Sequence, residues 1–213
     1  MTRLGSLILC AAFGLGAALS GCGGGSSGSD PGALDVIPAS NTISGWTVDP
    51  ANSVTAGKVA ATATTQKGTE DLIDGASADF FAVPYTPTLF AWQNYVSTTV
   101  TGAPNGANVT LYVIEMPSAD QASGLYASLR SASLYTRKVG TPEDWAEPSS
   151  PRVGTDSRIQ DTGDTWWINF YKGKLYVEVN LGPSAGPAPD FTPGNTDTKA
   201  AAFAFATAIA GKI

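Results

Sequence analysis

The stretch from Glu70 to Phe81, EDLIDGASADFF, groups four acids around one glycine. On a helix Asp71 and Asp79 would share one face, but a rise of about 1.5 Å per residue separates them by about 12 Å, too far to ligate one ion. If Thr69 caps the helix, the first two acids lie in its first turn, where unpaired amides and the helix dipole favour negative charge. The stretch is therefore interpreted as a helix start rather than a metal site, and Asp74 is kept as a candidate ligand-binding residue.

A second stretch, Gly182 to Gly186, reads GPSAG and matches the G-x-S-x-G pattern of serine hydrolases. That pattern requires a helix directly after the serine, and Pro187 and Pro189 oppose one. The chain also contains no histidine to activate Ser184. The lack of histidine further argues against the common zinc sites and histidine-assisted nucleophiles. Carboxylate chemistry, a Ser/Lys pair or a hard-cation site remains open, but the sequence singles out no catalytic residue, no metal ligand and no cofactor.

A third stretch, Thr165 to Tyr171, concentrates aromatic residues on one predicted strand. Because side chains alternate between the two faces of a strand, the stretch divides into two sets. The set expected to line the core comprises Trp166, Ile168 and Phe170. The set on the opposite face comprises Trp167, Asn169 and Tyr171. This second set is a candidate stacking platform for a sugar or an apolar ligand, unless helices cover both faces and make all of these residues core.

The first residues of the chain indicate where the protein works. An apolar run from Leu4 to Leu19 follows Arg3 and is too short to span a bilayer, which is typical of a secretory signal. The run ends in Leu-Ser-Gly-Cys at Cys22, which resembles the lipobox of bacterial lipoproteins. The resemblance implies that the Cys22 thiol is lipidated and that cleavage follows Gly21; ordinary secretion is the alternative. The expected division is a signal peptide at 1–21, a lipidated cysteine with a Gly/Ser tether at 22–33, and one domain at 34–213.

Charge and cysteine content restrict which partners and which disulfides are expected. The chain carries 12 basic and 18 acidic residues, a net charge of −6, and loss of Arg3 with the signal peptide makes it one unit more negative. Such a surface repels phosphate backbones, so nucleic acid is not an expected partner. Cys10 would leave with the signal peptide and Cys22 would carry lipid, so the mature chain has no disulfide and depends on its core for stability. The expected partners are a membrane, through the lipid anchor, and an envelope protein or small molecule.

The elements that must position these residues alternate between helices and hairpins. The expected helices cover Thr69 to Phe81, a stretch after the capping box at Ser118 to Gln121, and Thr196 to Ala210. The expected strands are Leu89 to Val100, Asn108 to Met116, Ser157 to Gln160, Thr165 to Tyr171 and Lys174 to Leu181. Gly75 and Gly124 within helices indicate close backbone packing. This pattern predicts an α+β domain, with helices packed on a mostly antiparallel sheet.

Four short motifs lie along these elements. They are Ile73-Asp74-Gly75-Ala76, Glu115-Met116 followed by Gly124-Leu125-Tyr126, Val139-Gly140, and YKGKLYV at Tyr171 to Val177. In this order and spacing they resemble an uncharacterised domain of bacterial secreted proteins and lipoproteins, over about Val36 to Leu181. The chain departs from that domain at Ala78, where an acid is usual, and lacks its Tyr-Gly-Phe before the second strand. The resemblance implies no established activity.

Three functional interpretations follow. The leading one is a membrane-tethered envelope lipoprotein with a non-catalytic binding or interaction domain. The second is a carrier of an apolar or lipid ligand, whose cavity would be lined by Phe80, Phe90, Trp92 and Phe203. The third is a carboxylate-dependent envelope hydrolase, which requires two acids converging in a cleft.

Overall fold

A computed structural model describes residues 30–49, 61–73, 77–82, 84–99, 106–129, 145–161, 165–183 and 196–213. The helices in these ranges are α1 (Ala33–Val36), α2 (Gln66–Ile73), α3 (Ser77–Phe80), α4 (Ala119–Ser128) and α5 (Thr196–Ala210). The strands are β1 (Thr47–Val48), β2 (Ala61–Ala63), β3 (Leu89–Ser97), β4 (Ala107–Glu115), β5 (Asp156–Asp161), β6 (Trp166–Lys172) and β7 (Leu175–Pro183). Within the described residues no helix combines the length and the apolar character that crossing a membrane requires.

All seven strands belong to one sheet, and each pairing in it is antiparallel. The strand order is β1-β3-β4-β7-β6-β5, with β2 pairing the same strand β3 further along its length. The four central strands are joined as two hairpins, β3–β4 and β6–β7. Helices pack on both sides of this sheet, so the predicted α+β class is confirmed.

One face of the sheet, here called the α5 face, carries the larger core. Its central strands contribute apolar side chains at alternate positions, and α5 covers them with Ala202, Phe205, Ala206 and Ile209. Phe205 makes an edge-to-face contact with Trp46 at 5.2 Å and a tilted contact with Tyr95 at 4.9 Å between ring centroids. Lys172 Nζ donates to the carbonyl of Ala210 at 2.7 Å, so a cation meets the last turn of α5.

The opposite face, here called the α4 face, has an apolar part beneath α3 and α4. The buried side chains of this second cluster are Phe80, Phe90, Ile114, Met116, Ala122, Leu125, Tyr126, Leu129 and Tyr176. Helix α4 begins at the predicted place, because the Ser118 hydroxyl accepts from the amide of Gln121 at 3.3 Å. The reciprocal bond of the predicted capping box is absent, since Gln121 Oε1 has no hydrogen-bond partner among the described residues. The rest of this face carries the polar residues described below.

The β6–β7 hairpin forms where glycine predicts a turn. Lys172 pairs with Leu175, and Gly173 between them has a φ of +52°. Side chains disfavour this left-handed region, so glycine at this position allows the tight connection.

Helix α2 begins one turn before the predicted start. The Thr65 hydroxyl accepts from the amide of Gly68 at 3.1 Å, so Thr65 rather than Thr69 satisfies the first free amides. Thr69 lies inside the helix and is buried. The prediction that Thr69 caps a helix and that Glu70 and Asp71 fill its first turn is therefore wrong. Asp71 instead binds Lys67 across one helical turn, at 2.7 Å.

The packed part of the chain includes the residues just before 34. The carboxylate of Glu115 accepts from the amide of Ala33 at 2.9 Å and from Lys174 Nζ at 2.8 Å. Ala33 is fully buried. The segment that the sequence assigns to the end of the tether is thus attached to the ends of β4 and of the β6–β7 hairpin.

Candidate functional site

The structure places three of the predicted site residues together. Trp167, Asn169 and Tyr171 point to the α4 face from β6, while Trp166, Ile168 and Phe170 join the core of the α5 face. Asp74, Ser184 and the lipidation residue Cys22 lie outside the described residues. Helices cover both faces of β6, and Asn169 is fully buried. The three residues therefore do not form one open platform, although Trp167 and Tyr171 remain half-buried.

Beyond these residues, the α4 face carries two rows of side chains that run across the strands. The first row follows the register from β5 to β3 and consists of Arg158, Asn169, Glu178, Tyr112 and Trp92. The second row lies next to it and consists of Gln160, Trp167, Asn180, Thr110 and Asn94. The two rows together are called the polar band. Successive members of a row stand on neighbouring strands, about 4.8 Å apart.

The amides of the polar band have hydrogen-bonding groups that the described protein leaves unused. Neither the Oδ1 nor the Nδ2 atom of Asn169 has a hydrogen-bond partner, although the residue is 0% exposed. Three further buried atoms lack a partner within the described ranges: Gln160 Nε2, Asn180 Oδ1 and Asn94 Oδ1. Gln160 is a buried residue, whereas Asn180 and Asn94 are half-buried. Buried polar groups in folded proteins are almost always paired, because an unpaired one costs about 1–3 kcal/mol. Such a concentration on one sheet face therefore requires a reason.

A buried cation closes the β5 end of the first row. Arg158 is 1% exposed, and its guanidinium carbon lies 4.6 Å from the ring centroid of Tyr126 and 5.1 Å from that of Trp145. Its Nη1 atom donates to the carbonyl of Tyr126 at 3.2 Å. The two aromatic rings and this carbonyl hold the guanidinium at the β5 end of the row.

A buried carboxylate stands on the other side of Asn169. Glu178 is 1% exposed, and it accepts a hydrogen bond from Tyr176 Oη at 2.5 Å. Burial raises the pKa of the neighbouring Tyr112 phenol, and the negative charge of Glu178 raises it further. Tyr112 therefore remains a neutral hydroxyl group at physiological pH. The first row thus places one formal negative charge, one amide and one formal positive charge on three adjacent strands.

Exposure increases along the polar band from β5 towards β3. Arg158, Asn169 and Glu178 are at most 1% exposed, whereas Tyr112 and Trp92 are only half-buried. In the second row Gln160 is buried, and the other four members are half-buried. The polar band is therefore closed beneath α4 and Trp145 and more open above β3 and β4.

Helix α4 is held over the closed end by a close contact. A Cβ atom added at Gly124 would lie 2.5 Å from Cε1 of Tyr85, so the ring occupies the space that a side chain would need. This geometry confirms the prediction that Gly124 marks close packing. Tyr126, two residues further along α4, donates its phenol to Glu147 Oε1 at 2.9 Å. Burial raises the pKa of Tyr126, and the Glu147 hydrogen bond raises it further.

One alternative from the sequence, the carrier of an apolar ligand, fits the structure less well. The predicted lining of the carrier cavity is wrong. Phe203 belongs to the α5 face, whereas Phe80, Phe90 and Trp92 belong to the α4 face. The sheet separates them. Among the described residues, no group of three or more His, Cys, Asp or Glu side chains is placed to hold a metal ion.

Sequence reasoning singled out Asn169 and Trp167 but missed most of the polar band. The overlooked members are Arg158, Gln160, Glu178, Asn180, Tyr112, Thr110 and Asn94. A signal was present, because the pairs Arg158/Gln160, Trp167/Asn169 and Glu178/Asn180 all follow i, i+2 spacing on three consecutive predicted strands. Such spacing places each pair on one face. Only the register of the strands shows that the three pairs lie side by side.

Comparisons with known proteins support neither a family nor a function for this chain. No protein-family model matches the chain, and no curated protein matches it. Among solved structures, the extracellular domain of PknH from Mycobacterium tuberculosis matches with a TM-score of 0.40 and 14% identity, over 73% of this chain and 78% of that one. The function is therefore inferred from the residues of this chain.

Proposed function

We propose that this protein is a non-catalytic binding protein of the bacterial cell envelope, tethered to the extracytoplasmic side of a membrane through lipidated Cys22. Its ligand binds at the polar band on the α4 face. The tether would leave the domain near Gly32 and Ala33, which Glu115 holds at one end of the sheet.

The observation that carries the binding proposal is the state of Asn169. Its amide is fully buried, and neither polar atom has a partner in the described protein. A group that lowers stability in this way is typical of a functional site, because residues placed to meet a ligand are not optimised for folding. A ligand that bonds to this amide would recover the lost hydrogen bonds.

The composition of the polar band favours binding over the two rival functions. Glycoside hydrolysis uses two carboxyl groups that flank the scissile bond, whereas the two rows together contain one carboxylate, Glu178. An apolar ligand would leave the amides of Asn169 and Gln160 unpaired, at a cost in affinity. A polar ligand satisfies them.

The binding proposal is tested with the full chain, purified in detergent, and a water-soluble extract of bacterial envelope. We expect the extract to raise the thermal midpoint of the wild type and to leave that of Asn169→Leu unchanged. Gln93→Leu is the matched control, because this buried amide lies on β3, faces the α5 side and donates to the carbonyl of Asn94 at 3.1 Å. Equal shifts in all three proteins, or no shift in the wild type, would contradict the proposal.

The tether proposal is tested separately by acyl labelling in cells. Cys22→Ala is expected to abolish incorporation of labelled fatty acid and to move the protein out of the membrane fraction, because the sulfur is the site of attachment. Ser20→Ala keeps a small residue before the cysteine and is expected to label normally. Undiminished labelling of Cys22→Ala would contradict lipidation at this residue.

A further inference from the structure

The unused groups of the polar band restrict the chemistry of the ligand. Asn169 presents both a donor, Nδ2, and an acceptor, Oδ1, while Asn180 and Asn94 present acceptors through Oδ1. Gln160 adds a donor through Nε2. A hydroxyl group both donates and accepts, so one kind of group on the ligand can pair with all of these atoms.

The order of side chains within the rows adds a second restriction. Trp167 lies between Gln160 and Asn180 in the second row, and Tyr112 follows Glu178 in the first. Both rings are half-buried. Aromatic faces beside amides provide apolar contact for one side of a ligand and hydrogen bonds for its edge. The ligand should therefore have a flat apolar face bordered by polar groups.

The charges of the polar band give a third restriction. The two rows contain one arginine, Arg158, and one acid, Glu178, and both are buried. An ionised ligand would add a third buried charge to these two, which is unfavourable without a further counter-charge in the rows. A neutral ligand adds no buried charge.

From these three restrictions we infer that the polar band binds a neutral carbohydrate. This inference rests on the proposed function and names its ligand class. The sugar lies across the strands, with its ring against Trp167 and Tyr112 and its hydroxyl groups towards Asn180 and Asn169. It enters from the more open side above β3 and β4, and its end reaches Asn169 at the closed side.

Calorimetric titration of the full chain tests this inference, in a detergent whose headgroup is not a sugar. The probes are neutral oligosaccharides of glucose, mannose, galactose and N-acetylglucosamine, from two to six units long. Three further probes represent the other chemistries: uronic acid oligosaccharides of the same lengths, a fluorescent fatty acid and a neutral tetrapeptide. We expect at least one neutral oligosaccharide to bind, with an affinity that Asn169→Leu and Asn180→Leu each reduce by at least about tenfold. Gln93→Leu, on the opposite face, should change it less than about twofold.

The length series separates two sources of the same chemistry. Affinity that is already complete with a disaccharide indicates a free sugar, and affinity that rises to six units indicates a polymeric envelope glycan. Either result supports the inference, provided that both variants on the α4 face weaken binding.

Other outcomes overturn the inference and also report on the proposed function. If only the acid, fatty acid or peptide probe binds, and the two variants abolish that binding, the carbohydrate inference is wrong while the binding site stands. If no probe binds but the envelope extract still stabilises the wild type and not Asn169→Leu, the inference is likewise wrong and the site stands. If neither the probes nor the extract act on the wild type, both are wrong.

Discussion

The two faces of the sheet differ in whether their buried polar side chains are hydrogen-bonded. On the α5 face, the polar side chains among the core are hydrogen-bonded: Gln93 donates to the Asn94 carbonyl, and the Thr198 hydroxyl accepts from Trp166 Nε1 at 2.9 Å. Ser157 bonds to Ser149 at 2.7 Å. On the α4 face, Asn169 is equally buried, yet both of its polar atoms are unused. The same strands thus supply an ordinary core on one side and an unsatisfied polar surface on the other.

This difference separates residues that stabilise the fold from residues that do not. A chain that pairs its buried polar groups on one face shows that its strands permit such pairing. The unpaired amides of the other face are therefore better explained by a ligand than by a general tolerance of the fold. The apolar part of the α4 face, beneath α3 and α4, provides the rigid support that a binding site needs.

The largest expected change in stability comes from truncating a core side chain of the α5 face. Phe205→Ala should lower the free energy of unfolding by about 3–5 kcal/mol, because the ring is fully buried between Trp46 and Tyr95. Thr110→Ala, at a half-buried position of the polar band, is the counterpart and should cost less than about 1 kcal/mol. Urea denaturation measures both. Equal losses would remove the energetic distinction between the faces.

A smaller effect is expected where α4 packs closely. Gly124→Ala places a methyl group against the Tyr85 ring and should lower the free energy of unfolding by about 1–3 kcal/mol, less any gain in helix propensity. The double variant with Tyr85→Leu removes the clash and should recover most of the loss. If Gly124→Ala alone is as stable as the wild type, then α4 is not held over the polar band by this contact.

The stability of the protein at alkaline pH should depend on Tyr95, a buried phenol of the α5 face. Burial raises the pKa of Tyr95 well above its ordinary value, and its hydroxyl donates to the Pro38 carbonyl at 2.6 Å. Above about pH 10 the unfolded tyrosine releases its proton while the folded one keeps it, so stability is constant below that pH and falls above it. Tyr95→Phe should make the decline shallower by about 1.4 kcal/mol per pH unit. Denaturant midpoints from pH 8 to 11.5 measure the slope, and identical slopes would contradict the assignment.

Most of the fold could be predicted from the sequence, because its helices and strands have clear hydrophobic periods and are bounded by turn and capping residues. Helix α5 has the bounds that its Ala/Phe-rich pattern predicts, Thr196–Ala210. The sequence pattern identified β3 and β4 as strands, and in β6 the alternation identified both the strand and its two faces. Strand β2 was not predicted, because the Thr/Ala-rich stretch around it has no apolar period that distinguishes strand from loop. The start of α2 was misplaced because Thr65 and Thr69 are both suitable caps, and only tertiary packing decides between them.

The candidate site was harder to predict from the sequence than the fold, for a physical reason. Polar residues at alternate positions of a strand ordinarily indicate a face turned to water. Here α4 and Trp145 cover that face at β5 and β6, so Arg158 and Asn169 become buried. Burial by an element distant in the sequence has no local signal. The i, i+2 pairs indicated a polar face, but the structure was needed to show that this face is enclosed.

The most direct test of the central claim is the stability of Asn169→Leu, measured by urea denaturation of the ligand-free protein. If the amide serves a ligand and not the fold, an apolar side chain of similar size should raise the free energy of unfolding by about 1–3 kcal/mol, because it removes two buried polar atoms without partners. Gln93→Leu, which replaces a hydrogen-bonded amide on the other face, should give no such gain. If Asn169→Leu instead destabilises the protein, the amide contributes to folding and the account of the polar band as a binding site is contradicted.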